Sequence, residues 1–334
     1  MSRVLVTGGT GTIGTAVVRR LLGDPAYEVR VADQRPAPQW MREGCEVHTA
    51  DLRVLDEARR ATDGCSHVIH LAAAGGDDDA GNLYSLPHTL MEANNALYNA
   101  VIRAALDLEV ERFTYVSSAI VFERASEFPS TEAHLPDCPT PESAYGLSKL
   151  TGERYCRAAH DEHGLQYTIC RPCDVYGPGA APGAQPGGAE RSSATHDMES
   201  AGGGAVDDLI ARVLAGQRPL QILGSGEQTR TPTHVEDIAA GIVSAMSSPR
   251  GLGEDFNIAA SRELTVAEIA RIVWEACGKE PADFALEQLE SAAVNVPRRR
   301  PSVEKARELL GWQARIDLED GIAATVQWIS EQAR

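Results

Sequence analysis

Arg3-Val-Leu-Val-Thr7 runs directly into Gly8-Gly9-Thr10-Gly11-Thr12-Ile13-Gly14. The first stretch reads as a short buried strand. Three glycines follow, spaced G-x-x-G-x-x-G, and an amphipathic run from Ile13 to Leu22 then stops at Gly23. Strand, glycine turn and helix start together make a cradle for a dinucleotide. Glycines let the backbone approach a pyrophosphate, and the helix start offers it free N–H groups and the positive end of a dipole. Nineteen residues after Gly14, the second apolar run, Val29–Asp33, ends in Asp33. An acid at that place meets the hydroxyls of an adenosine ribose.

Composition narrows the partners. A chain of 334 residues can bury a sizeable core in one large or two small domains. A net charge of −17 repels nucleic acid and anionic membrane surfaces, so neither is expected as a partner. A phosphate-bearing ligand must therefore be held by local basic residues. The seven cysteines are odd in number and scattered, which reads as reduced thiols rather than a disulfide framework. No apolar run reaches membrane length, and a first strand at residue 3 leaves no room for a signal peptide, so a cytoplasmic protein is expected.

Strand and helix signals then alternate. Val29–Asp33 is the second strand and Glu46–Ala50 the third, with Asp51-Leu52 closing it. His67–Ala73 is an uninterrupted apolar fourth strand, as a strand covered on both faces should be. Its small residues Ala72–Ala74 leave space for a ligand or serve tight helix–sheet packing. A long helix spans about 86–108, a strand Arg112–Ser118, a helix about 143–162 and a strand Gln166–Arg171. Such alternation predicts a doubly wound parallel sheet. Ligands sit at the carboxyl ends of its strands, so Ser117, Ser118 and Arg171 are expected to share one crevice with the glycine turn.

The chemistry is expected in Tyr145-Gly-Leu-Ser-Lys149. Residues four apart lie on one helix face. A tyrosine titrates near pH ~10 and is a poor base at neutrality, but a neighbouring ammonium stabilises its phenolate. The lowered pKa lets the phenol exchange a proton with an alcohol as hydride moves. Ser118 can hydrogen-bond the same oxygen.

These segments, with His70-Leu-Ala-Ala73, Tyr115-Val-Ser-Ser118 and Arg171-Pro, resemble the extended short-chain dehydrogenase/reductases. The nearer likeness is to the NAD-dependent nucleotide-sugar epimerase/dehydratase family, specifically to the 4-epimerases. It covers essentially the whole chain. Gly224-Ser-Gly-Glu-Gln-Thr-Arg230, Thr233-His-Val-Glu-Asp-Ile238 and the Arg-rich stretch 298–300 with Leu-Leu-Gly-Trp312 resemble that family's later segments. The resemblance implies a Rossmann sheet with a smaller C-terminal substrate lobe, NAD as cofactor, a nucleotide-diphosphate sugar as substrate and a homodimer through the two long helices. It implies catalysis by Ser118, Tyr145 and Lys149. It implies cofactor contacts at Gly8, Gly11, Thr12, Ile13, Gly14, Asp33, Asp51, Leu52, Leu71, Ala72, Ala73, Asn94, Ser117, Tyr145 and Lys149, and substrate contacts at Ser118, Asp174, Arg230 and Arg299. The cofactor domain would span 1–172 with about 232–260, and the lobe about 173–231 with 261–334.

Departures from the family pattern narrow the reaction. Ser118 is followed by Ala119-Ile120, which cannot transfer protons. Dehydratases carry an acidic pair there, 3,5-epimerases a cysteine and many decarboxylases a glutamate. What remains needs only removal and return of hydride, which is 4-epimerisation. A dehydrogenase or ketoreductase uses the same residues, a uronate decarboxylase stays a lesser alternative, and a non-catalytic NAD(P)-binding sensor would be indifferent to Tyr145. Asp33 favours NAD, with Arg35 near enough to tolerate NADP. Asp174 stands where the family has Asn or Thr. Facing the sugar, it would favour a neutral substrate over a uronate; alternatively it pairs with Arg171. In the 178–205 stretch, twenty of twenty-eight residues are Gly, Ala, Pro or Ser, so a flexible loop is expected, as a lid or as a surface insertion.

The rest reads as lobe and returning elements: helices at Val206–Ala215 and His234–Met246, strands at Leu220–Leu223 and Phe256–Ile258, and helices at Ser302–Leu310 and Leu318–Ile329. Thr265 and Glu268 form a capping box for a helix to Cys277. Trp274, Trp312 and Trp328 are expected in cores. The nine histidines lack ligand spacing, so no metal is expected.

Overall fold

Strand β1 (Ser2–Thr7) is an interior strand of a seven-stranded sheet. The others are β2 (Tyr27–Asp33), β3 (Glu46–Thr49), β4 (His67–His70), β5 (Arg112–Val116), β6 (Tyr167–Pro172) and β7 (Asp255–Ile258). Their order is β7-β6-β5-β4-β1-β2-β3 and every neighbouring pair is parallel. The computed structural model describes residues 1–74, 77–78, 81–82, 86–179, 205–289 and 296–332.

Besides the six-residue helix Gln39–Gly44, the helices are α1 (Thr12–Leu22), α2 (Leu55–Thr62), α3 (Pro87–Asp107), α4 (Ala144–His163) and α5 (Ala205–Leu214). They continue with α6 (Val235–Ser247), α7 (Val266–Ala276), α8 (Glu304–Leu310) and α9 (Leu318–Gln332).

The period-2 alternation of β1 explains the double covering. Val4 and Val6 point into one core with Val17, Val18 and Leu21 of α1 and with Ile238 and Ile242 of α6. Leu5 points the other way, into a second core with Ala58 of α2, Val101 of α3 and Cys156 of α4. Each such fully buried aliphatic side chain contributes about 2 kcal/mol. A third core joins α5, α7 and α9 through Leu209, Val273 and Ile322, and makes the smaller lobe.

The element ends differ from expectation at the carboxyl edge of the sheet. β4 stops at His70 rather than Ala73, and β5 at Val116 rather than Ser118. One more bond continues each pairing, Leu71 N to Thr7 O at 3.2 Å and Ser117 N to Cys170 O at 2.7 Å, and past these the chain finds other partners. Asn94 of α3 grips both sides of one residue there, accepting from Ala74 N at 2.7 Å and donating to Ala74 O at 3.0 Å. The Thr265–Glu268 capping box is present. Trp274 and Trp328 lie in the lobe core. Ala306 of α8 and Trp312 instead join the core beneath α1 and α6, so this stretch packs on the main sheet, where the lobe was expected.

All seven cysteines are free. Cys170 and Cys173 stand at C-x-x-C spacing, which the scattered-cysteine reading passes over. The spacing carries no redox pair here, because Cys170 sits in the sheet core beside α1 and Cys173 in a separate small cluster with Ala119 and Ala259. Among the described residues, no helix is long and apolar enough to cross a membrane and no His/Cys/Asp/Glu group is set to hold a metal. Of the expected 178–205 loop, 180–204 lies outside the described residues.

Candidate active site

The glycine turn joins β1 to α1 at the carboxyl edge. Gly8 has φ +68°, and a Cβ on it would stand 2.7 Å from Ala72 N. A Cβ on Gly14 would collide with Gly8 O, so this glycine allows the helix to start against the turn. Gly11 precedes α1 without a side-chain cap, and Thr12, Ile13 and Gly14 open the helix. The first-turn N–H groups thus keep their anion-binding character. Gly179, beyond the end of β6, lies against Thr12.

Asp33 braces this turn. Its Oδ2 accepts from Thr10 N at 3.0 Å and from Thr10 Oγ1 at 2.6 Å, and its Oδ1 accepts from Arg35 N at 3.0 Å. Arg35 Nε is 3.7 Å from the same carboxylate. Asp51 takes the Arg53 guanidinium at 2.9 and 2.7 Å, and these bonds hold its carboxyl below the ordinary value. Leu52 is buried, while Leu71, Ala72 and Ala73 are half-buried along the β4 exit. Thr7 Oγ1 accepts from Ala72 N at 3.2 Å and meets His70 Nδ1 at 2.8 Å. Burial, with Lys149 nearby, pushes His70 down to about 3, so its imidazole is neutral.

The hydroxyl and amine groups meet between β5 and α4. Ser118 is half-buried, and its Oγ accepts from Ile120 N at 3.3 Å. Tyr145 and Lys149 share one face of α4, with the Lys149 Nζ 5.7 Å from the Tyr145 ring centre. Lys149 is buried and donates to Val116 O at 3.1 Å. Burial pulls its ammonium down to about 8, opposed by the Glu153 carboxylate one turn further on.

Two expected crevice residues point elsewhere. Ser117 is buried and donates to Glu153 Oε1 at 2.7 Å, so its hydroxyl belongs to the interior rather than to the cofactor side. Arg171 is fully buried and clamps Glu153 with two bonds of 2.7 Å and Asp255 Oδ2 with one of 2.6 Å. Asp255 also takes Arg157 at 2.8 Å and Lys305 at 2.7 Å. Arg171 was placed in the crevice because it ends a strand, but a guanidinium between two buried carboxylates is a structural hub. Its charge remains because both partners are anionic.

The expected Asp174–Arg171 pair is accordingly not formed. Asp174 Oδ1 accepts from Arg299 Nη1 at 2.9 Å and its Oδ2 from Thr231 N at 2.8 Å. Burial opposes its charge, yet Arg299 and Arg230 outweigh that and hold the carboxyl below the ordinary value. Arg230 donates to Thr229 O at 2.8 Å and to Val296 O at 3.0 Å. Asp174, Arg230 and Arg299 therefore form one cluster. The carboxylate orients an arginine, which removes the reason for expecting it to select a neutral sugar.

Two acidic residues escaped the sequence reading. Glu153 lies four residues after Lys149, and that spacing is the signal that could have found it. Glu123 ends the apolar run Ala119–Phe122 and gives no such signal.

Comparison with known proteins agrees with this geometry. The model of the family described as "NAD dependent epimerase/dehydratase family" matches residues 4–259. The chain is 28% identical over 336 residues to a putative UDP-glucose 4-epimerase of Methanocaldococcus jannaschii, covering 99% of both chains. It is 27% identical over 337 residues to GDP-mannose 3,5-epimerase 1 of Oryza sativa subsp. japonica, covering 99% of this chain and 82% of the other. The structure of UDP-glucose 4-epimerase with UDP-glucose from Thermotoga maritima superposes with a TM-score of 0.84 at 26% identity, covering 99% of this chain and 100% of the other. A Rossmann-type sheet, a glycine cradle and a family match across most of the chain lead to one conclusion: the protein belongs to the NAD-dependent epimerase/dehydratase family.

Proposed function

We propose that this chain is a nucleotide-sugar 4-epimerase working through a transient 4-keto sugar. The observation that carries the reading is the trio Ser118, Tyr145 and Lys149 followed by buried Ala119 and Ile120, which offer no acid or thiol. The residues fit the cofactor. Gly8 and Gly14 let the turn close more tightly than a Cβ would permit, Gly11 carries no side chain over the helix start, and α1 begins without a side-chain cap. In this reading Gly8, Gly11, Thr12, Ile13 and Gly14 take the pyrophosphate, Asp33 the ribose, and Asp51 and Leu52 the adenine. Leu71, Ala72 and Ala73 line the crevice, and Asn94 acts by holding Ala74. NAD, when bound, supplies the hydride acceptor and donor.

Tyr145 removes the proton of the sugar C4 hydroxyl as the C4–H bond breaks. The Lys149 ammonium favours the phenolate, and Ser118 orients the C4 oxygen. After the keto sugar turns over, Tyr145 returns the proton. Arg299, aimed by Asp174, and Arg230 hold the nucleotide diphosphate. GDP-mannose 3,5-epimerase relatives match 99% of this chain in sequence, but a 3,5-epimerisation needs proton transfer at carbon. Cys173 is unsuited to that, since its thiol is buried against Thr231 Oγ1 at 3.2 Å and burial raises its pKa. The outward faces of α3 and α4 are our proposal for a homodimer interface, testable by sedimentation.

The test is to incubate the protein with NAD and a panel of UDP-, GDP-, ADP- and dTDP-sugars. Isomer-resolving chromatography with mass spectrometry reads the products. A new peak of unchanged mass is expected. Loss of water or carbon dioxide, or a change of two hydrogens, would replace this reading with a dehydratase, decarboxylase or dehydrogenase.

A further inference from the structure

We propose that Glu123 is a positioning residue that sets the separation of Ser118 and Tyr145, an inference that rests on reading those two as the proton-handling pair. Ser118 opens a single 3-10 turn, Ala119–Phe122, by accepting from Ile120 N through its side chain at 3.3 Å. Glu123 closes that turn, donating its N–H to Ile120 O at 2.9 Å. Ile120, Val121 and Phe122 are buried, so the turn is a short rigid link rather than a mobile loop.

The Glu123 side chain then reaches the start of α4. Its Oε2 accepts from Ser143 Oγ at 2.6 Å, and its two oxygens accept from Ser143 N at 3.3 and 3.2 Å. Ser143 Oγ in turn accepts from Gly146 N at 3.1 Å and caps the helix. A Cβ on Gly146 would stand 3.0 Å from Glu123 Oε2, so glycine lets the carboxylate come this close. Tyr145 is held between Ser143 and Gly146. A hydrogen-bonded path thus runs from Ser118 to the helix start that carries Tyr145, and Glu123 is the buried side chain in it that spans the two segments; the Arg124–Glu142 pair beside it, at 3.2 Å, is exposed. Glu123 is 6% exposed, so water does not offer Ser143 an equal substitute. A carboxylate at a helix start is also favoured by the dipole there. A displacement of about 1 Å between reacting groups costs about a hundredfold in rate, which is why a residue that only spaces them matters.

The test uses the NAD-loaded full chain and UDP-glucose, or whichever panel sugar gives the isomer peak. For Glu123→Ala we expect kcat to fall roughly ten- to a hundredfold with sugar KM within about twofold. Glu123→Gln keeps an acceptor for Ser143 and is expected to stay within about threefold of wild type. A double-mutant cycle of Glu123→Ala with Ser143→Ala should be clearly less than additive. If Glu123→Ala does not fold, Ser143→Ala decides alone: a kcat loss of about threefold or more at unchanged KM supports the proposal. Unchanged kcat in Glu123→Ala, or in Ser143→Ala, overturns it, as does equal loss in kcat and affinity for both Ala and Gln variants. Tyr145→Phe separates the two levels. If that variant remains active, the reading of the proton-handling pair fails. If it is inactive while Glu123→Ala is normal, only the positioning role fails.

Discussion

In the proposed reading the two ends of the crevice handle anionic groups by different means. At the glycine turn the backbone does it: Gly8 and Gly14 let the turn pack closely against the start of α1, whose first N–H groups carry no side-chain cap. At the lobe side it is side chains: Arg299 is aimed by Asp174, with Arg230 beside them. A backbone cradle has little to adjust, and it fails when a side chain is added. A guanidinium–carboxylate cluster is adjustable, and it fails when a charge is removed. This suits a fold in which the cofactor is constant and the sugar differs among relatives.

The comparison is broken most severely at Gly14. Gly14→Ala pushes a methyl into Gly8 O, a backbone atom that cannot rotate away. Overpacking of this kind costs about 1–3 kcal/mol, so we expect a lower Tm and the loss of NAD-dependent stabilisation. A thermal scan with and without NAD checks both. Undiminished NAD stabilisation would show that the turn is not a cradle.

On the other side, Asp174→Asn is the cleaner probe. Asp174 has φ +43°, a region that asparagine tolerates, so the variant removes charge without adding backbone strain. We expect sugar KM to rise roughly tenfold with NAD affinity unchanged, because breaking a buried charged hydrogen bond costs about 1–3 kcal/mol. Isothermal titration with UDP in place of the sugar isolates that contact.

In the proposed mechanism Lys149 gives a pH signature. Its ammonium titrates at about 8, so kcat/KM is expected to fall as pH rises through that value. Glu153 favours the charged form, and Glu153→Gln should therefore move the alkaline limb to lower pH. A pH–rate profile of both proteins reads this; a limb that stays in place would remove Glu153 from any electrostatic role. The Gln variant also leaves Arg171 short of one partner, so its Tm is measured alongside.

The smallest effect is expected at Arg35, a basic side chain beside the cradle. It is more than half exposed and 3.7 Å from Asp33, and such pairs contribute about 0–1 kcal/mol. Arg35→Ala should change NAD affinity by less than about threefold. A larger change would mean that the cradle, too, depends on side-chain charge.

The cofactor half is legible in the chain because its requirements are steric and local. A glycine where a Cβ would strike Ala72 N, and alternating Val4, Leu5 and Val6, are visible as residue types at fixed spacing. Tyr145 and Lys149 are visible for the same reason, being one helical turn apart. Partnerships over long separations are not visible. Arg171 looks like a crevice residue by strand position, yet its choice of Glu153 and Asp255 depends on β7 arriving beside β6. Asp174 meets Arg299 across 125 positions, so no local pattern could assign it. Ser117 and Ser118 look equivalent in sequence, and only the path of the backbone past Val116 sends one inward.

The position of β7 also bears on how the chain comes together during synthesis. Six of the seven strands are made by Pro172, but the seventh begins at Asp255. Until it emerges, β6 is an open sheet edge, and Arg171 has only Glu153 of its two buried partners. Open edges are templates for association with other chains. Chains released before Asp255 are therefore expected to aggregate, which a truncation series would reveal as insoluble product. Asp255 is held down to about 2 by Arg171, Lys305 and Arg157 despite its burial. Its carboxyl is thus depressed in the folded state, and it contributes stability that is present above about pH 4 and lost as pH falls towards 2. The late strand both closes the growing sheet and supplies the charge that settles it.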